Sequence, residues 1–144
     1  MSLSHPLPRE LTRPVHVGGV QIGGGAPVVV QSMTCTDTAD AQATLAHVCA
    51  LAQAGCDIVR VRVPSEAALE GFRTICAESP VPIVADIHFN HKLAIGAVEV
   101  GAAKLRINPG NIGDWAKVDA VIDVRSPQDL PEATRIVRWP DLMT

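Results

Sequence analysis

Val84-Ala85-Asp86-Ile87-His88-Phe89 and Leu105-Arg106-Ile107-Asn108-Pro109-Gly110-Asn111-Ile112-Gly113 decide how this chain is read. Each stretch begins as an apolar strand and ends in a cluster of polar groups. Residues two apart in a strand share a face. Asp86 and His88 therefore point one way together, and so do Arg106 and Asn108. Burying such groups without partners is costly. Charged pairs at the carboxyl ends of successive strands mark an α/β active site.

The flanking sequence repeats the same unit. Residues 26–32, APVVVQS, read as a strand. Thr36-Asp37-Thr38 offers helix N-caps, and Ala41, Thr44, Leu45, Val48, Leu51 and Ala52 recur at helical spacing up to Gly55. Residues 57–63 form a second strand. Pro64-Ser65 opens a helix with Ala68, Leu69, Phe72 and Ile75 on one face. Residues 81–87 form the third strand, followed by a helix carrying Leu93, Ala94, Ala97 and Val98 and ended by Gly101. Residues 103–108 form the fourth strand. Asp114 caps a last helix with Trp115, Val118, Val121 and Ile122 inward. Ahead of these units, residues 14–22 read as a hairpin turning at Gly18-Gly19. Gly23-Gly24-Gly25 has no helix and no GK[ST] after it, so it reads as a connector and not a phosphate loop.

Four strand–helix units mean parallel strands with crossovers. An open doubly wound sheet and part of a (β/α)8 barrel both fit. A whole barrel takes about 250 residues, and this chain of 144 holds half of one. The glycine-rich dinucleotide fingerprint is missing after the first strand. The expected fold class is α/β, parallel βαβ repeats forming the first half of a TIM (β/α)8 barrel.

In a barrel, the carboxyl ends of the strands meet at one mouth. The first strand brings Gln31, Ser32, Met33 and Thr34. The second brings Arg60 and Arg62, the third Asp86 and His88, the fourth Arg106 and Asn108. Three arginines around one mouth make an anion receptor, since guanidinium forks match phosphate oxygens. Asp86 balances one of them or orients His88, which hydrogen-bonds a substrate or moves a proton. Asn108-Pro109-Gly110-Asn111 reads as a β-turn whose amides also offer an anion nest. His47 and His91 read as helix-surface residues.

Composition sets the remaining bounds. Hydrophobic residues make up 47% and aromatic ones 3%, so the core is aliphatic, as suits covered parallel strands. The net charge of −3 gives no basic footprint for nucleic acid. No apolar run spans a bilayer and the first residues have no signal-peptide core, so the expected setting is cytoplasmic, with no membrane partner. Cys35, Cys49, Cys56 and Cys76 form no C-x-x-C pair, so no metal site is expected within the chain. Cys49 and Cys76 read as small core residues.

The segments VGGVQIGGGAPVVVQSMT, T-D-T-x-D at 36–40, GCDIVRVRVP, VADIHF and KLRINPGNIG lie in an order and spacing that resembles one family. It is the amino-terminal half of the flavodoxin- or ferredoxin-dependent 4-hydroxy-3-methylbut-2-enyl diphosphate synthases, matched from about Arg13 to Gly113. The resemblance implies reductive opening of 2-C-methyl-D-erythritol 2,4-cyclodiphosphate, with loss of water, in non-mevalonate isoprenoid biosynthesis. It implies an oxidoreductase whose TIM barrel binds the diphosphate substrate. It also implies a 4Fe-4S cluster on a separate carboxyl-terminal domain, flavodoxin or ferredoxin as electron donor, and a homodimer. On that template Arg60 and Arg106 hold diphosphate oxygens, and Asp86, His88, Asn108 and Asn111 line the pocket. Arg62 stands where the family commonly has a smaller residue, and Cys35 where it often has asparagine. No cysteine matches a cluster-ligand position, and no catalytic residue is assigned.

Residues 1–113 are thus expected to form a partial substrate-binding barrel and 114–144 a divergent tail, one helix and then irregular chain. VDAVIDVRSP also resembles the opening strand of a rhodanese domain. The chain alone is expected to be an inactive fragment of the synthase. The alternative is a non-catalytic diphosphate-binding module or a frameshifted or truncated gene product. Two half-barrels pairing edge to edge form a third possibility.

Overall fold

The computed structural model describes residues 8–124. A 3-10 turn (Arg9–Leu11) leads into a two-stranded antiparallel hairpin, β1 (Val15–Val17) and β2 (Val20–Ile22). Val17 pairs with Val20 across a two-residue turn. Gly18 takes φ 57° there, which a primed turn requires at its first central position. Then follow β3 (Gln31–Met33), α1 (Ala41–Gln53), β4 (Ile58–Arg62), α2 (Glu66–Glu78), β5 (Ile83–Ile87), α3 (His91–Glu99), β6 (Lys104–Ile107), α4 (Pro109–Ile112) and α5 (Trp115–Val124). None of the helices is long and apolar enough to cross a membrane among the described residues.

The four later strands form one parallel sheet in the order β3-β4-β5-β6. Strand order follows chain order without reversal, and α1, α2, α3 and α5 pack in sequence against one another. A doubly wound sheet reverses its order at a switch point. The monotonic order decides between the two architectures in favour of a partial barrel.

The two faces of the sheet bury different things. Val59, Val61 and Val63 of one strand and Ile83, Ala85 and Ile87 of the next face the helices. They meet Val48, Phe72, Ile75 and Ala97 in the main core. Phe72 and Ile75 are wholly buried, and each such side chain contributes about 1.5–3 kcal/mol. The alternate residues face inward. Near the amino end Ile58 and Val84 pack under Val17 of the hairpin, a second apolar cluster. The hairpin thus closes the inner face at its amino end. Further along the same strands the inward positions turn charged, at Arg60, Asp86 and Arg106.

Several expectations need correcting. The first strand spans only Gln31–Met33, not residues 26–32. Pro27 has no N–H to donate, and Val28 and Val30 are 76% and 51% exposed at the sheet's edge. The segment is still anchored, because Val30 N–H donates to Asp57 Oδ2 at 2.9 Å. The cap of α1 is Asp40, whose side chain accepts from Ala43 N–H, and not Thr36, Asp37 or Thr38. Asp37 Oδ1 instead accepts from Ala39 N–H, a local turn. Trp115 is 74% exposed, since the face of α5 that packs inward begins a turn later at Val118 and Val121. Ser65 and Asp114 cap α2 and α5 as read from the sequence. The triple glycine is a turn in which Gly24 N–H donates to Thr12 Oγ1 and Gly25 N–H to the Arg9 carbonyl, so it serves as a connector. Of the tail, α5 is described, whereas residues 125–144 and the last part of the rhodanese-like stretch lie outside the described residues.

Candidate functional site at the carboxyl ends of the strands

Asp86 sits at the centre. Its inward direction on β5 follows from the two-residue period that sends Ala85 and Ile87 to the helices. Its side chain is 3% exposed. A carboxylate buried this deeply is tolerated only when paired and hydrogen-bonded. Three groups supply that. Arg106 Nη1 donates to Asp86 Oδ1 at 3.2 Å. Arg60 Nε lies 3.7 Å and His88 Nε2 3.3 Å from Oδ2. Parallel pairing sets up the Arg106 contact, since Asp86 lies opposite Arg106 in the register of β5 and β6; on β4 it lies opposite Arg62, and Arg60 reaches it from two residues earlier on the same face.

The cluster is positively biased. Two arginines share one carboxylate, so one positive charge remains before His88 is counted. Arg60 Nε and His88 Nε2 are buried yet make no hydrogen bond of acceptable geometry among the described residues. Both stand within ion-pair distance of Oδ2 but off the line of a hydrogen bond. The Arg60 and Arg106 side chains are 31% and 41% exposed, so part of each guanidinium opens to the mouth. Each guanidinium has five N–H donors, far more than Asp86 accepts.

Asn108 and Asn111, which follow Arg106 in the chain, have a different role. Asn108 caps α4, its Oδ1 accepting from Gly110 N–H at 3.1 Å. Its carbonyl accepts from Asn111 and Ile112 N–H. The β-turn expected at 108–111 is therefore a short helix, and the three amides that would have made an anion nest already have acceptors. Asn111 is exposed.

Sequence reading placed Met33 at the mouth, Thr38 at a helix cap and His47 on a helix surface, but missed what each of them holds. Met33 Sδ lies 3.3 Å from Arg60 Nη2, a sulfur acceptor steadying the guanidinium from β3. Thr38 Oγ1 donates to the Arg62 carbonyl at 2.6 Å, tying the loop before α1 to the end of β4. His47 is half-buried on α1, its Nδ1 accepting from Cys35 N–H at 3.5 Å. Hydropathy period cannot report such contacts between residues far apart in the chain.

Cys35 is exposed at the mouth, and Cys49, Cys56 and Cys76 are half-buried. Burial pushes the Cys76 thiol up to about 12. Among the described residues no three His, Cys, Asp or Glu side chains converge to hold a metal ion. A 4Fe-4S cluster thus has no fitting ligand set there.

A cavity of about 340 Å³ opens next to the cluster, between the ends of β4 and β5. Arg62, His88 and Asn90 supply its polar lining, and Pro64, Phe89 and Leu93 part of its apolar wall.

Residues 12–136 match the GcpE TIM-barrel domain family. The chain is 53% identical over 130 residues to the 4-hydroxy-3-methylbut-2-en-1-yl diphosphate synthase (flavodoxin) of Magnetococcus marinus, covering 90% of this chain and 35% of that protein. It is 55% identical over 127 residues to the protein of the same name from Ruegeria sp., covering 85% and 34%. The chain thus spans about a third of the length of these relatives. Among solved structures, dihydropteroate synthase from Xanthomonas albilineans in complex with 7,8-dihydropteroate superposes with a TM-score of 0.61 at 24% identity. That likeness covers 79% of this chain and 47% of the other and concerns the fold alone.

Proposed function

The chain belongs to the GcpE TIM-barrel family, and on that premise we propose that its carboxyl-end cluster binds the diphosphate of 2-C-methyl-D-erythritol 2,4-cyclodiphosphate. The parent activity is reductive opening of that ring to 4-hydroxy-3-methylbut-2-enyl diphosphate. The donor is flavodoxin, the word in the relatives' names. The 4Fe-4S cluster expected of the family finds no ligand set among the described residues, so the share assigned to these residues is substrate binding.

One observation carries the reading: a single buried carboxylate holds two arginines at the mouth and leaves them with surplus charge and surplus donors. Arg106 and Arg60 donate N–H groups to phosphoryl oxygens. Asp86 fixes their direction, which lowers the ordering cost of binding. His88, also held near Asp86, hydrogen-bonds the substrate from the cavity side. Asn108 and Asn111, which follow Arg106 in the chain, are assigned to the same substrate, with the Asn108 side-chain amide N–H₂ left as a donor.

Calorimetric titration of the 144-residue chain with the cyclodiphosphate tests this. Losing a charge-assisted hydrogen bond costs about 1.5–3 kcal/mol, so Arg60→Gln or Arg106→Gln should weaken binding by about 10–100-fold. Affinity unchanged in both variants would refute the placement.

A further inference from the structure

We infer that the cavity beside the cluster is a second anion subsite, that Arg62 is its charged group, and that it takes one phosphoryl group of a diphosphate while Arg60 and Arg106 take the other. This rests on the proposed function in treating the mouth as an anion site, and it goes further in assigning Arg62 and the cavity a ligand.

Arg62 differs from its neighbours at the mouth. Arg60 and Arg106 are both committed to Asp86, whereas Arg62 forms no ion pair among the described residues and its side chain is exposed. Its backbone is nonetheless fixed. The carbonyl accepts from Thr38 Oγ1 at 2.6 Å, and the next amide, Val63 N–H, donates to the Asp86 carbonyl at 3.1 Å. A rigid strand end thus carries a guanidinium with all its donors available, set in the wall of a cavity.

Arg60 and Arg62 share the inner face of β4 two residues apart, so both guanidiniums rise from one stretch of the mouth. His88 connects the two subsites, since it approaches Asp86 on one side and lines the cavity on the other. Charge agrees as well. The Asp86 cluster alone has one surplus positive charge, and Arg62 adds a second. Leu93, which is buried, gives the cavity an apolar wall beside Arg62.

The test uses two probes, inorganic pyrophosphate and inorganic orthophosphate, titrated into the 144-residue chain and its Arg62→Gln, Arg62→Lys and Arg106→Gln variants. Far-UV circular dichroism confirms that each is folded, and Arg62, being exposed, tolerates replacement. Arg62→Gln is expected to weaken pyrophosphate about tenfold and to change orthophosphate less than about twofold, as one charge-assisted contact implies. Arg62→Lys should recover part of the loss, and Arg106→Gln should weaken both anions. Pyrophosphate affinity unchanged in Arg62→Gln, with Arg106→Gln weakened, overturns this inference and leaves the proposed function standing. Loss in Arg62→Gln with Arg106→Gln unaffected does the reverse. A chain that binds neither anion overturns both.

Discussion

Replacing Gly71 with alanine should destabilise the chain by about 2 kcal/mol, although alanine favours helices. Gly71 is buried in α2, where that helix presses on the loop preceding α1. A Cβ added there would stand 2.0 Å from the Thr38 carbonyl oxygen and 3.3 Å from Ala39 Cα. Reaching an ordinary contact of 3.4 Å needs a relief of about 1.4 Å, and the obstacle is backbone. The loop cannot easily yield. Thr38 Oγ1 is bonded to the Arg62 carbonyl, and Thr44 Oγ1 donates to the Asp37 carbonyl at 2.9 Å. Overpacking of this kind costs about 1–3 kcal/mol, and a clash with main chain belongs at the upper end. The gain in helix propensity offsets about 1 kcal/mol. Gly96→Ala is the matched control. The three atoms nearest its Cβ would all belong to Leu69, with Cδ2 at 2.7 Å, the tip of a flexible side chain. A rotamer adjustment of about 0.5–1.5 kcal/mol nearly cancels the propensity gain. Equilibrium urea unfolding of both variants reads the difference. Gly71→Ala as stable as Gly96→Ala would refute the packing of α2 on the Thr38 loop.

Two more predictions follow from the buried polar groups. Asp86→Asn should cost about 2 kcal/mol in urea unfolding, discounted from the 3–5 of a fully buried pair because its arginines are partly exposed. The new amide would present donors to Arg60 and His88, and stability at or above that of the wild type would contradict the geometry. Burial raises the Cys76 thiol to about 12 in the folded chain, while the unfolded thiol ionises near 9.0. The folded state therefore binds the extra proton between those values, and stability falls as pH rises from about 9 towards 12, with no such loss below 9. Unfolding free energies at pH 8 to 10.5 should fall more steeply for wild type than for Cys76→Ala, and parallel slopes would show that the thiol is not buried.

The sequence made the strand–helix alternation legible because buried β-branched runs such as residues 58–63 differ in period from the α2 face of Ala68, Phe72 and Ile75. The meeting of Arg60, Asp86, His88 and Arg106 was also foreseeable, since parallel strands align their carboxyl ends. What escaped depends on neighbours remote in sequence. Val28 and Val30 read as part of the first strand but lie ahead of it, exposed at the sheet's edge. Asn108 reads as a turn residue, yet its side chain and carbonyl organise a helical turn and occupy the amides of a supposed nest. The division between a paired Arg60 and an unpaired Arg62, alike in sequence and on one face, is set by which of them Asp86 reaches.

Ligand should bind at the carboxyl ends of the strands around Asp86. Amide chemical-shift mapping of the isotopically labelled chain, titrated with the cyclodiphosphate, tests it most directly. Shifts should concentrate at residues 33–38, 60–65, 86–91 and 106–112. Shifts concentrated at the hairpin, around Val17 and Val20 on the opposite end of the sheet, would contradict it.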